Sequence, residues 1–356
     1  DRTVYPRARN HRHQGDVMDW ALIITALVVI IAIGFDFTNG FHDAANAIAT
    51  SVGTRALAPA TALGLAAIFN FVGAFIGYWL GSGVAKTIQS VTTPPSGYAG
   101  LALVAAALGG AIGWNLITWR LGLPSSSTHA LIGGVVGAAI VAGTIVEWGT
   151  VWEKVILPMV TSPFVGLILA FLLMRLIVQI FRNKNPRNVG KGFRHAQSVS
   201  ACAMAMGHGM QDAQKTMGVI FLLLVSMGYA TASEEMPVWI VFACAGAISI
   251  GTAVGGKRIM KTLGRRIIDL DPARGFAAES VSAGVLYTTA LVWEAPVSTT
   301  QVITGGIMGA GVEKRVNSVR WSVGVNILWA WGLTLPAAAA IAALVYELIA
   351  LLAPAF

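Results

Sequence analysis

Long apolar runs separated by short polar segments make up most of the chain. They lie near residues 20–53, 56–80, 100–119, 125–146, 154–182, 196–230, 237–256, 274–292, 296–313 and 321–352. A helix that spans a membrane needs about 20 mostly apolar residues. Several runs are too long for one straight helix, and others are interrupted by polar residues. The pattern therefore predicts an all-α polytopic membrane protein with roughly 10–12 transmembrane segments, including broken or re-entrant helices.

The composition supports a membrane protein. Of the 356 residues, 56% are hydrophobic and only 11% are charged, whereas a soluble domain has about 25% charged residues. A soluble enzyme with these proportions would expose large apolar patches and aggregate. We therefore expect a multi-pass protein of the cell membrane (plasma or inner membrane), surrounded by the lipid bilayer. The 40 glycines are typical of closely packed membrane helices. Glycine faces can also pack between two copies of the chain, so a homodimer is one alternative.

The positive charges are concentrated in a few places. The net charge is +8, and 13 of the 24 Lys and Arg residues fall in segments 182–194, 257–266 and 314–320. Lys and Arg are retained on the cytoplasmic side of membrane proteins, so these segments are predicted to be cytoplasmic loops rather than patches that bind nucleic acid. Acidic turns are expected outside, at Glu147, Glu153, Glu234, Glu235 and Glu294. By the same alternation, segment 81–99 is predicted to be an external loop.

Two polar motifs occur twice along the chain, in the same order. Segment 39–46 (NGFHDAAN) matches segment 208–215 (HGMQDAQK), at a separation of 169 residues. Segment 124–129 (PSSSTH) matches segment 296–301 (PVSTTQ), at a separation of 172 residues. Two motifs that recur at nearly the same separation indicate an internal duplication.

The two halves are predicted to cross the membrane in opposite directions. After the first motif the chain emerges at basic Arg55, whereas after its repeat it emerges at acidic Glu234. Inverted repeats with polar, broken segments at corresponding positions are typical of secondary transporters, which bind their substrate at the repeat interface. The predicted organisation is a polar basic N-terminal extension, expected to be disordered (1–19), a first inverted repeat (20–182), a cytoplasmic basic linker (183–195) and a second inverted repeat (196–356).

Ionisable residues inside the apolar runs are candidates for binding a coupling ion or proton, because charge at membrane depth is expensive and usually functional. They are Asp36, Asp43, Asp212, Lys215 and Glu279. The duplication repeats Asp43 as Asp212, which an incidental ion pair would not explain. Asn39 and Asn46 add oxygen atoms that suit a hard cation such as sodium.

The Pro-x-Ser-Ser/Thr-Thr motifs suit an oxyanion. Proline favours the start of a helix, so the hydroxyls that follow it lie beside unpaired backbone N–H groups at the positive end of the helix dipole. Such an arrangement binds an oxyanion without any formal positive charge. Ordinary N-capping needs only one hydroxyl, whereas each motif supplies at least two.

An anion beside two ionised aspartates would be repelled, so protons or a bound cation must neutralise them first. Substrate and coupling ion then bind only together, as symport requires. Lys215 stands where the first half has Asn46. Its ammonium can replace a bound cation, neutralise Asp212 or contact the anion, and the sequence leaves these alternatives open.

These motifs resemble those of the inorganic phosphate transporter (PiT or Pho4) family. The residues that carry the resemblance lie in segments 34–47, 124–129, 208–218 and 296–300, and the likeness covers nearly the whole chain from about residue 20. It implies a secondary transporter of inorganic phosphate driven by sodium or protons, and no enzymatic activity. It also implies that phosphate binds between the two Ser/Thr motifs, near both Asp motifs. The expected phosphate-binding residues are Ser126, Ser127, Thr128, Ser298, Thr299, Thr300, Asp43, Asp212 and Gln211.

The chain departs from the pattern of the sodium-coupled members. His42 and Gln211 precede the two aspartates where those members usually have Asn, and Lys215 replaces the second Asn. The form Gln214-Lys215 resembles the bacterial low-affinity branch, for which proton-coupled uptake of a neutral metal–phosphate complex is expected. We therefore favour protons over sodium as the coupling ion, with a divalent metal as a possible companion of phosphate. Neither a resident metal site nor a cofactor is predicted.

Sulfate transport, intramembrane hydrolysis and a channel are the alternatives to phosphate symport. Sulfate is the nearest rival substrate, but it is not protonated near neutral pH, whereas phosphate can donate a hydrogen bond to a carboxylate. An intramembrane hydrolase with Ser126 or Ser127 as nucleophile and His129 as base is disfavoured, because Ser127 and His129 point apart on a helix and the repeat has Gln301. A channel is disfavoured because duplicated broken helices suit alternating access better than a continuous pore.

Overall fold

The computed structural model describes residues 11–255 and 257–353, and most of these are helical. The helices are α1 (His11–Gly53), α2 (Pro59–Leu80), α3 (Gly83–Gln89), α4 (Tyr98–Leu121), α5 (Ser127–Val141), α6 (Trp148–Phe181), α7 (Pro186–Ser226), α8 (Val238–Val254), α9 (Lys257–Arg265), α10 (Pro272–Leu291), α11 (Thr299–Val312) and α12 (Trp321–Leu352). Helix α6 contains one π-helical segment, Val151–Ile156. Within the described ranges there is no β-strand, so the predicted all-α fold class is confirmed.

Short sequence signals set where the helices begin and end. The side chain of Asn185 accepts a hydrogen bond from the backbone N–H of Arg187 (2.9 Å), and that of Asp271 accepts one from Arg274 (3.0 Å). A proline follows each cap, so α7 and α10 start with the residue types that favour a helix N-terminus. Gly122 ends α4 with φ 68°, a left-handed conformation that glycine adopts without strain.

Three polar segments that were predicted to be loops or a linker contain helices. Segment 81–99 includes α3, segment 257–266 includes all of α9, and most of the predicted linker 183–195 is the first part of α7. The charge pattern predicted only the side of the membrane on which these segments lie, which stays a prediction, and it gave no information about their local structure. In α9 the apolar residues Ile259 and Leu263 are four positions apart and both are buried, so one face of this basic helix packs inward. Helix α1 begins at His11, and residues 1–10 of the predicted extension lie outside the described residues.

The helices carry the length and apolar surface of membrane spans. In the described part of the chain, five helices (α1 from Trp20, α2, α4, α6 and α12) are long and apolar enough to cross a membrane, and α5 and α8 are shorter apolar helices. Large apolar side chains on α6 and α12, such as Phe164 and Leu344, are exposed. A surface of this kind suits lipid rather than water. The protein is therefore a multi-pass membrane protein, while the predicted total of 10–12 segments stays a prediction.

The order of helices in the first half recurs in the second. Each half begins with a long helix (α1 and α7, of 43 and 41 residues) and later places a short helix (α5 and α11, of 15 and 14 residues) after the proline motif. The halves also exchange their last helices, because α12 packs on α4 and α5 whereas α6 packs on α10 and α11. Helices α1 and α7 contact each other. The opposite orientation of the two halves stays a prediction.

Glycines allow the exchanged helices to approach closely. A Cβ at Gly137 of α5 would clash with the backbone of Ala339 in α12, and a Cβ at Gly309 of α11 would clash with the backbone of Leu167 in α6. Gly137 and Gly309 occupy corresponding positions of the repeat. Gly73 of α2 likewise meets the backbone of Met206 in α7. These glycine faces pack within the chain, as expected for small residues at membrane-helix interfaces.

Candidate functional site

The site begins where the chain turns into the short helices α5 and α11. Ser126 precedes α5, and its hydroxyl accepts a hydrogen bond from the backbone N–H of His129 (3.2 Å). Ser298 does the same for α11 with Gln301 (3.3 Å). Both serines therefore serve as N-caps. The next hydroxyls, predicted to bind phosphate as well, belong to the first turns of the two helices.

These two helix starts meet each other. The Thr128 hydroxyl donates a hydrogen bond to the backbone carbonyl of Val297 (3.2 Å), in the loop that leads into α11. Ser127, Thr128, Thr299 and Thr300 are all buried, at 1–2% exposure. Two positive helix ends therefore lie next to one another in the interior, which is the environment that stabilises an oxyanion.

The polar motifs of the two halves make corresponding contacts across the centre. Lys215 Nζ on α7 donates a hydrogen bond to Thr128 Oγ1 on α5 (2.5 Å). Asn46 Nδ2 on α1 donates one to Thr300 Oγ1 on α11 (2.8 Å). In the repeat Asn46 corresponds to Lys215, and Thr128 corresponds to Thr300. Each long helix thus contacts the short helix of the opposite half.

Two carboxylates lie beside these contacts. Asp43 accepts hydrogen bonds from the Ser127 hydroxyl (2.8 Å) and from His42 Nδ1 (2.6 Å). Asp212 Oδ1 accepts one from Lys215 Nζ (2.6 Å), and Asp212 Oδ2 lies 3.3 Å from His208 Nε2. All of these side chains are buried. The first half therefore holds its aspartate with a hydroxyl and an imidazole, whereas the second half uses an ammonium and an imidazole.

Asp43, His208 and Asp212 converge on one point. One ligand atom from each lies within 4.8 Å of the others, so a single cation can contact all three. Asn70 Nδ2 donates to Thr252 (2.7 Å), which leaves Asn70 Oδ1 to accept from His208 Nδ1 (3.0 Å). This assignment directs His208 Nε2 toward the carboxylates. Two buried carboxylates at this separation need positive charge between them.

Gln211 and His42 hold the loops in front of α11 and α5. Gln211 Nε2 donates to Thr289 Oγ1 (2.9 Å) and, at longer distance, to the carbonyl of Ala295 (3.4 Å). His42 Nε2 contacts the hydroxyls of Thr118 (3.3 Å) and Ser125 (3.4 Å). Gln211 was predicted to bind phosphate; its amide nitrogen is engaged with the loop that precedes Pro296, whereas its amide oxygen is buried without a hydrogen-bond partner. Its predicted contact with phosphate stays a prediction.

Glu279 lies in a separate polar cluster, which we call the Glu279 cluster. Its carboxylate accepts hydrogen bonds from Ser51 (2.6 Å), Ser200 (2.5 Å), Gln197 (3.3 Å) and Thr50. Thr50 and Ser51 belong to α1, where they lie about 10 Å beyond Asp43 along the helix axis. Glu279 was grouped with the aspartates as a coupling residue, and the structure places it in a cluster of its own.

The remaining predicted residues lie on α1 close to the aspartates. Asp36 Oδ1 accepts a hydrogen bond from the Thr216 hydroxyl on α7 (2.9 Å). Asn39 is fully buried one turn before Asp43. Sequence reasoning missed Asn70, Gln197 and Ser200, and it did not assign a role to His208. The sequence could have identified all four, because each is a polar residue inside an apolar run.

Known proteins resemble the chain over most of its length. The model of the "Phosphate transporter family" matches residues 39–191 and 181–342. A probable low-affinity inorganic phosphate transporter of Bacillus subtilis is 42% identical over 331 residues, which cover 92% of this chain and 98% of that protein. A protein of the same description from Rhizobium meliloti is 46% identical over 335 residues, again 92% of this chain and 98% of that protein. Among solved structures, a sodium-dependent phosphate transporter superimposes with a TM-score of 0.83 at 25% identity, over 92% of this chain and 99% of that one.

Proposed function

Because the chain belongs to the phosphate transporter family, whose members transport rather than catalyse, we propose that it takes up inorganic phosphate by proton-coupled symport. The observation that carries the proposal is the pair of corresponding contacts, Lys215 to Thr128 and Asn46 to Thr300. They join each long helix to the oxyanion-binding start of the opposite half. A substrate at this junction touches both halves at once, as alternating access between two predicted inverted repeats requires.

Phosphate binds between the first turns of α5 and α11 in this proposal. The hydroxyls of Ser127, Thr128, Thr299 and Thr300 and the backbone N–H groups beside them supply the donors. Ser126 and Ser298 cap the two helices and keep those donors in place. The carboxylates of Asp43 and Asp212 accept hydrogen bonds from a protonated phosphate oxygen, which sulfate cannot offer at neutral pH.

Coupling arises because the anion and the carboxylates repel each other until positive charge is added. The point between Asp43, His208 and Asp212 receives that charge. We favour a proton over sodium, because His208 places a nitrogen there and hard cations such as sodium prefer oxygen ligands. A divalent metal that enters with phosphate fits the same mixture of imidazole and carboxylate, and it would then be cargo rather than a resident ion.

Asp36, Asn39 and Glu279 complete the proposed pathway of the coupling ion. Asp36 is linked to α7 through Thr216, and the Glu279 cluster joins α1, α7 and α10. Asp36 lies on α1, and Glu279, which belongs to α10, contacts α1 through Ser51 and α7 through Ser200. A change of protonation on these helices therefore acts on the elements that must move relative to each other during transport.

Counterflow in proteoliposomes tests the function. Vesicles with purified protein are loaded with unlabelled phosphate and diluted into labelled phosphate, at two pH values, with and without sodium. We expect labelled phosphate to accumulate, an inward proton gradient to drive net uptake without sodium, and excess sulfate to compete weakly. Strong competition by sulfate would reassign the substrate, and uptake that needs sodium at every pH would overturn proton coupling. A phosphate flux that does not saturate and does not depend on the gradient of the coupling ion would indicate a channel.

A further inference from the structure

Lys215 and Asn46 occupy corresponding positions but differ in charge. Each stands three residues after its aspartate, and each donates a hydrogen bond to a threonine of the opposite half. Lys215 is fully buried, as is Asn46. The geometry of the two halves is thus the same at this point, and what distinguishes them is one permanent positive charge.

The Lys215 ammonium lies among the atoms that would hold a small cation. Its Nζ is 2.6 Å from a carboxylate oxygen of Asp212 and 2.5 Å from the hydroxyl oxygen of Thr128. Carboxylate and hydroxyl oxygens are ligands that hard cations prefer. The ammonium therefore takes the place of a mobile ion, with the difference that it cannot leave.

The first half has no such fixed ammonium. Asp43 is held by the Ser127 hydroxyl and by His42, and Asn46 is a neutral amide that donates to Thr299 (3.2 Å) as well as to Thr300. Positive charge for this half must arrive with each cycle as a mobile cation, whether a proton or a metal ion. The two halves of the site consequently obtain their charge from different sources.

Building on the proposed function, we propose that Lys215 is a built-in coupling cation that replaces one mobile ion of the cycle. It sets how many cations accompany each phosphate and makes the second half of the site indifferent to sodium. Restoring the first-half residue at this position should recreate a cation site between Asp212 and Thr128. The variant Lys215→Asn should then need an added small cation for uptake.

The experiment compares wild type, Lys215→Asn and the exposed control Lys184→Asn in proteoliposomes with the membrane potential clamped at zero. With an inward sodium gradient of about tenfold at equal pH, one additional coupled sodium ion should raise the final phosphate accumulation of Lys215→Asn about tenfold. Wild type and Lys184→Asn should accumulate the same amount with and without the sodium gradient. Lys215→Arg, which keeps a fixed cation, should gain no dependence of phosphate accumulation on the sodium gradient.

A binding measurement keeps the test independent of transport. Sodium should raise the thermal unfolding temperature of detergent-solubilised Lys215→Asn, and of a Lys215→Gln variant if the first one folds poorly, but not that of wild type. Variants that fold and gain neither sodium-dependent stability nor sodium-driven accumulation overturn the inference. Wild-type protein that shows no phosphate counterflow overturns the proposed function instead, so the two failures are distinguishable.

Discussion

The side-chain amide of Asn46 lies 2.8 Å from the hydroxyl of Thr300, although 254 residues separate them along the chain. The corresponding pair, Lys215 and Thr128, is closer still at 2.5 Å. Neither half of the chain can form these contacts alone, because the donor and the acceptor always come from opposite halves. The polar centre therefore forms only where the two halves meet. Substitutions there should affect phosphate binding more than they affect the fold of either half.

Removing one hydroxyl at the junction should weaken phosphate binding. In Thr300→Val the substrate loses one donor, and a hydrogen bond to a charged group contributes about 1.5–3 kcal/mol. We expect the KM for phosphate uptake to rise by about tenfold to a hundredfold, with a smaller change in the maximal rate. The matched control is Thr304→Val, one turn further along α11 and also buried. Equal effects of the two substitutions would contradict a direct role for Thr300.

Neutralising either central aspartate should abolish uptake. Asp43→Asn removes the charge that a coupling cation must balance, while the new amide still accepts the hydrogen bond from Ser127. Asp212→Asn leaves the buried Lys215 ammonium without its carboxylate, and breaking a buried pair costs about 3–5 kcal/mol. Asp43→Asn should thus be inactive but stable, whereas Asp212→Asn should be inactive and destabilised. Labelled phosphate uptake and thermal unfolding measure the two effects, with exposed Glu235→Gln as control.

Normal transport by Asp43→Asn in membranes that contain the protein would refute the coupling role of that residue. Retained counterflow without gradient-driven uptake would instead show that phosphate binds while the coupling is lost. The comparison of the two assays therefore separates substrate binding from coupling.

The duplication in the sequence was enough to predict which polar residues of the two halves lie close together. Asp43 with Asp212, and Thr128 with Thr300, could be paired from their spacing alone, and all four lie at the junction. The partners of His208 could not be predicted, since Asn70 and Thr252 come from α2 and α8 and only packing brings them together. Periodicity tells which residues are buried, but it does not tell which residue of another helix they meet.

The helices α3 and α9 were missed for a related reason. Charge patterning places a segment on one side of the membrane but says little about its local structure. In α9 the apolar residues Ile259 and Leu263 stand four positions apart among charged residues, and both are buried. The exchange of α6 and α12 between the halves also leaves no trace in composition, because it depends on close packing at single positions such as Gly137 and Gly309.

Replacing Glu279 by glutamine should separate coupling from substrate exchange. The carboxylate accepts hydrogen bonds on both oxygens, from Ser51 and Ser200 among others. An amide nitrogen in place of one oxygen faces a hydroxyl donor, which costs about 1–3 kcal/mol. We expect Glu279→Gln to lose proton-driven accumulation and to retain phosphate counterflow. Glu313→Gln, which removes a more exposed carboxylate near Arg274, is the control. Unchanged proton-driven accumulation would exclude Glu279 from the coupling pathway.

The close packing of α6 against α11 should contribute to the stability of the protein. Gly309 of α11 lies so close to the backbone of Leu167 in α6 that a Cβ has no room, and overpacking of this kind typically costs about 1–3 kcal/mol. At Gly246 of α8 no other atom lies within 4 Å of the position that a Cβ would occupy. In a helix, Ala is favoured over Gly by about 1 kcal/mol. Gly309→Ala should therefore lower the thermal unfolding temperature in detergent, while Gly246→Ala should leave it unchanged or raise it. Since α11 carries Thr299 and Thr300, Gly309→Ala should also weaken phosphate binding, and Gly246→Ala should not. If Gly309→Ala unfolds at the wild-type temperature, α6 does not restrain α11 in the way that the packing indicates.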